Sequence, residues 1–140
     1  VKHAGKSRAQ RYDRWYALLQ EELDLVAPSN AGVVAVGNAV AQHLERRGFP
    51  RPFTRLIHYS GLAARARAAG IVGHEDSFQA FRDSVSLEDL VATAGEVLRK
   101  ARVPADLRDE TLSRLAKSQL SLSRKQLIFN YKLAFESMQS

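Results

Sequence analysis

The sequence predicts a three-layer α/β domain with a short parallel sheet, followed by an α-helical C-terminal extension. Three observations carry this. Gly32-Val33-Val34-Ala35-Val36-Gly37 is a β-branched run without polar alternation, the pattern of a strand buried on both faces and so of a parallel sheet covered by helices. Phe53-Thr54-Arg55-Leu56-Ile57-His58 supplies a second strand, and the stretch between the two has the length and period of one crossover helix. Beyond residue 85 the periodicity is helical throughout, so residues 1–85 are read as the α/β domain and residues 86–140 as a basic helical extension packed on it.

The elements follow in order. The first ten residues are polar and basic, with Lys2, Lys6 and Arg8 followed closely by Arg11, and nothing in them offsets the entropy of ordering, so a loose arm is expected. Over residues 9–26, Tyr12, Trp15, Tyr16, Leu18, Leu19, Leu23 and Leu25 recur at three- and four-residue steps, the stripe of an amphipathic helix that Pro28-Ser29-Asn30 ends. Gly37-Asn38 forms the turn after the first strand. Residues 39–47 form the crossover helix, stopped by Gly48 and Pro50 before the second strand. A loop from His58 leads into a short alanine- and arginine-rich helix ending near Ala69, and residues 77–83 form another. Ser86, with Asp89 three residues on, caps a helix running to about Lys100, and two more helices cover residues 105–117 and 123–137.

The 140 residues, 45% of them hydrophobic, suffice for one domain with its own core. The absence of cysteine removes disulfides, thiolate zinc sites and cysteine nucleophiles. Four scattered histidines show no metal-protease spacing, His74-Glu75-Asp76 on one turn cannot converge on an ion, and no metal or cofactor is expected. The glycines near the first strand lack the lysine of a P-loop and the dinucleotide fingerprint, and no serine sits in a nucleophile elbow. No segment is apolar enough for a membrane span, so a cytoplasmic location is expected. The net charge of +6 favours an acidic partner, DNA foremost. Because a small sheet leaves open edges, a second protein chain or self-association is the other expected partner.

In a parallel strand, helix, strand unit both strands point the same way, which puts Gly37, Asn38, His58, Tyr59 and Ser60 at one carboxyl-end edge, where ligands bind in open α/β sheets. His58 there is either a hydrogen-bond donor or general acid, with Ser60 fixing its position or binding a phosphate, or a histidine that only satisfies a polar position. Val33-Val34-Ala35-Val36-Gly37-Asn38-Ala39-Val40-Ala41, then His58-Tyr59-Ser60, then Phe78 and Phe81, resemble in order the later half of the uracil-DNA glycosylase superfamily over residues 12–85. The resemblance implies a base-excision repair hydrolase of DNA N-glycosidic bonds, with His58 as the catalytic group stabilising the departing base. It also implies that Ser60, Gly61, Leu62, Arg65 and Arg67 approach the DNA, with Leu62 as a wedge. Tyr59 stands where the family has proline. No counterpart of the family's water-activating and base-reading motifs precedes Tyr12, which leaves either a fragment or a non-catalytic relative, and a chain not expected to excise a base alone.

Two further basic groups stand out. Arg46, Arg47, Arg51 and Arg55, with Arg65 and Arg67, form either a positive rim beside His58 or a solvated face. Between Arg99 and Lys132 nine Lys or Arg stand against three Asp or Glu, which either track a phosphate backbone or decorate a helical bundle. The alternative to a glycosylase relative is therefore a non-catalytic interaction module whose basic helical tail binds nucleic acid or protein.

Overall fold

The computed structural model describes residues 4–60 and 63–139. In chain order they form α1 (Ala4–Val26), β1 (Val33–Val36), α2 (Asn38–Arg46), β2 (Phe53–Leu56), α3 (Ala64–Ala69), α4 (Glu75–Ser84), α5 (Leu87–Lys100), α6 (Ala105–Ala116) and α7 (Leu122–Gln139). The expected three-layer α/β fold is corrected: helix makes up 69% of the described residues, and the sheet among them is one parallel pair. A layered parallel sheet needs several strand-helix-strand crossovers, and this sequence encodes one. The run over β1 also misled, because short apolar runs do not report how many faces are covered. Only Ala35 of that strand is buried, Val33 and Val34 are half-buried, and Val36 is exposed.

The chain divides into two compact units, one of residues 1–60 with 131–140 and the other of residues 61–130, so the expected boundary near residue 85 falls inside the second. In the first unit, β1 and β2 pair in parallel with Val33 opposite Phe53 and Val36 opposite Leu56, and α2 packs on both. The core joins Tyr16 of α1, Ala35 of β1, and Ala41 and Leu44 of α2, with Val40, Phe49 and Phe53 against them. The expected loose arm is helical from Ala4, consistent with the alanine, lysine, arginine and glutamine there, all strong helix formers. At the other end of α1 the Arg51 guanidinium clasps the turn that follows, donating to Pro28 O at 3.2 Å and to Asp24 Oδ1 at 3.0 Å, with Leu23 O and Ala27 O at 3.4 Å.

In the second unit, Phe129 is 1% exposed and its ring meets Phe78 edge-on at 5.3 Å and Phe81 at 5.6 Å. Asn130 ties α3 to α7, its Nδ2 donating to Arg67 O at 3.0 Å and Gln126 O at 2.8 Å. A Cβ on Gly70 would lie 1.7 Å from Asn130 Oδ1, which the two hydrogen bonds hold in place, so the site has room for glycine alone. Ser86 caps α5 as its sequence implies: its Oγ accepts from Asp89 N at 3.1 Å and donates to Asp89 Oδ2 at 2.7 Å.

Candidate functional site

Parallel pairing brings the ends of β1 and β2 to one edge of the first unit. The ladder continues one step past β1, with Gly37 N–H donating to Leu56 O at 2.8 Å. Gly37 has φ 93° and ψ 146°, a conformation essentially confined to glycine, and with it the backbone turns from β1 directly into α2. A Cβ at Gly37 would stand 3.5 Å from His58 Cδ2, so the imidazole lies against the bare backbone of this turn. Asn38, the first residue of α2, is exposed beside it in the chain. The strand ends therefore unite Gly37 and His58 as the crossover demands.

The imidazole is oriented by the chain that follows it. Ser60 N–H donates to His58 Nδ1 at 3.1 Å, so the neutral ring carries its proton on Nε2. It is the backbone of Ser60 that fixes His58, in a turn two residues long. Tyr59 lies flat on His58, ring centroids 4.4 Å apart and planes 22° from parallel, and remains 70% exposed. Both rings face solvent at the loop, forming an aromatic platform with one polarised N–H at its edge.

A residue the sequence did not single out supports this loop. Tyr131 on α7 donates its hydroxyl to Ile57 O at 3.0 Å, holding the carbonyl that precedes His58 from 74 positions away. Burial, and secondarily the nearby Tyr59, raise the Tyr131 phenol above its ordinary value. Since the folded value lies above the unfolded one, this stability is present below about pH 10 and is lost as pH rises through the folded value. Alkaline denaturation should therefore destabilise the native chain more steeply than Tyr131→Phe, measured by circular dichroism above about pH 10. Parallel curves would detach Tyr131 from the loop.

The other expected site residues divide. Gly61 and Leu62 lie outside the described residues. Arg65 is exposed on α3 in the second unit. Arg67 of α3, expected on a phosphate-binding rim, is 5% exposed, so that expectation is corrected. Of the rim expected from Arg46, Arg47, Arg51 and Arg55, the first three are not at the His58 edge either. Arg47 and Arg51 precede β2 and so lie toward the amino ends of the strands, Arg47 with its guanidinium 4.8 Å from the Tyr16 ring centroid and Arg51 at the end of α1. Arg55 is paired with Glu45. Arg47, Arg51 and Arg55 have structural partners, and alternation of charge in a sequence does not reveal such pairings.

No cluster of three metal-ligating side chains occurs among the described residues. Glu75, expected at a helix start, opens α4, and its Oε1 accepts from Gly73 N–H at 3.0 Å, which chiefly holds its carboxyl below the usual range. No described helix is long and apolar enough to cross a membrane.

A second concavity sits between α1 and α2, lined by Tyr12, Trp15, Leu18, Leu19 and Val40 with His43 at its wall, with a volume of about 320 Å³. His43 is buried between Tyr12 and Tyr16, edge-on to both. Trp15, expected as core, is 58% exposed here, because α1 carries a wider apolar stripe than α2 covers. Comparison with protein-family models, with curated proteins and with solved structures finds no match to this chain.

Proposed function

We propose that this chain binds single-stranded nucleic acid, DNA foremost, by stacking a base on the His58–Tyr59 pair, as a non-excising relative of base-excision N-glycosidic hydrolases in the cytoplasm. The observation that carries the reading is that exposed, stacked pair beside Gly37, with the Nε2 proton fixed by Ser60. An aromatic face is worth about 1–3 kcal/mol per stacked base, and every base has a π-face to offer. An N–H at the platform's edge suits a base carbonyl. The net charge of +6 adds attraction to phosphate. The resemblance to the uracil-DNA glycosylase superfamily points to the same histidine. Excision is left out because His58 Nε2–H can only donate to a base, while the resemblance puts water activation on a separate motif that the residues matched here do not include.

The test is a fluorescence-anisotropy titration of the full chain with a labelled single-stranded oligonucleotide over a range of salt, beside a single-turnover assay on oligonucleotides carrying uracil or hypoxanthine. Binding that weakens steeply with salt, without excision, is expected. Absence of binding contradicts the reading, and excision that His58→Ala abolishes contradicts its non-catalytic half. A second reading, a protein-interaction module, is favoured by the apolar groove between α1 and α2. Trp15→Ala separates the two, since it leaves oligonucleotide binding unchanged under the first.

A further inference from the structure

The corner between α5 and α6, in the second unit, carries four cations against one carboxylate from Arg99 to Arg108. Unlike Arg51, Arg55 and Arg114, which pair with Asp24, Glu45 and Glu110, the side chains of Arg99, Lys100, Arg102 and Arg108 make no ion pair among the described residues. Arg99 and Arg108 line one groove of about 370 Å³ between the two helices, over an apolar floor that includes Val91 and Leu112, with Glu96 the acidic residue on its wall. Like charges brought together without counterions repel one another, so a cluster of this kind costs stability until an anion arrives.

Arg102 adds an independent observation. Its φ is 58°, which among the described residues makes it the non-glycine residue in the left-handed region. The hydrogen bonds explain why the chain must turn this way: Arg102 N–H donates to Arg99 O and Val103 N–H to Leu98 O, both at 3.0 Å. That is the paired closure of a helix C-terminus in which the left-handed position is ordinarily glycine, or less often asparagine. Pro104 follows and keeps the helix from continuing. An arginine at this position holds a strained backbone where glycine would be relaxed, and strain of this kind clusters at functional sites. Arg102 thus stands at the strained turn that joins the helices carrying Arg99 and Arg108.

We infer that the α5–α6 corner is a phosphate-binding site for a nucleic-acid backbone, with Arg99, Arg102 and Arg108 as its contacts. It rests on the nucleic-acid reading above but uses different residues, in a different unit. Guanidinium groups match phosphate geometry and stay charged at any working pH. A groove with an apolar floor and cationic walls fits a strand's backbone better than a compact anion. Glu96 on the wall repels a strand and a membrane alike, but a groove admits a strand, whereas a flat anionic surface such as a membrane meets only its rim.

The experiment uses the full chain and its Arg102→Gly and Arg99→Gln/Arg108→Gln variants. Each is titrated with a labelled single-stranded oligonucleotide across salt, with Tyr59→Ala run in parallel and thermal melting recorded for all. For single strands each lost phosphate contact flattens the slope of log affinity against log salt by about 0.7. Arg102→Gly should therefore flatten the slope by about 0.7 and the double variant by about 1.4. Arg102→Gly should also melt higher than the native chain by roughly 2–5 °C, since glycine relieves the strain. A higher melting point with unchanged affinity and slope overturns the inference, as does binding to phosphatidylglycerol vesicles in place of the oligonucleotide. Loss of binding in Tyr59→Ala with no effect of the arginine variants overturns the corner alone. The reverse pattern sinks the aromatic platform and supports the corner, and no oligonucleotide binding by the native chain overturns both.

Discussion

Tyr59→Ala lowers affinity for a single-stranded oligonucleotide by roughly 5- to 150-fold, the span of about 1–3 kcal/mol lost with one stacked base. Tyr59 is 70% exposed and makes its ring contact with His58, so its removal leaves the core of the first unit, built from Tyr16, Ala35, Ala41 and Leu44, untouched. Tyr59→Phe keeps the face and retains most of the affinity. Because stacking is uncharged, Tyr59→Ala shifts the salt curve downward without changing its slope. A variant that binds as tightly as the native chain would remove the platform from the interface.

Phe129→Ala destabilises the chain by about 3–5 kcal/mol, the usual range for truncating a fully buried phenylalanine. Phe129 is 1% exposed and is the largest fully buried side chain among the described residues, with Phe78 and Phe81 resting on its ring. No neighbour can fill the space, because Phe78 and Phe81 are fixed by α4 and Asn130 by its bonds to Arg67 and Gln126. The measurement is urea denaturation followed by circular dichroism. Since total stabilities are about 5–15 kcal/mol, a loss on this scale should leave much of the chain unfolded under mild denaturant. A loss under about 1 kcal/mol would mean that the second unit is not held by this aromatic cluster.

The local elements were legible where one chemical signal decides them. Ser86 and Asp89 announce a capped helix, and the valines of β1 with the Gly37-Asn38 turn announce a strand that meets His58. The number of strands was not legible, since an apolar run reports local burial and not how many neighbours a sheet has. Arg67 was misplaced because a guanidinium with a backbone tie beside it in α3 looks, in sequence, like any surface arginine. Tyr131 could not have been found, for nothing in α7 signals a hydrogen bond to a carbonyl 74 residues earlier. In sequence Arg102 is one more positive charge, and its left-handed backbone appears only with the hydrogen bonds of the α5 terminus.

A base lying against His58 and Tyr59 is read most directly by proton NMR of the aromatic rings during titration with a short oligothymidylate. Stacking predicts upfield movement of the Tyr59 ring and His58 Cδ2 and Cε1 protons as the oligonucleotide is added, with Tyr16 unmoved in the core of the first unit. Saturable binding of the oligonucleotide with Tyr59 and His58 unchanged would contradict it.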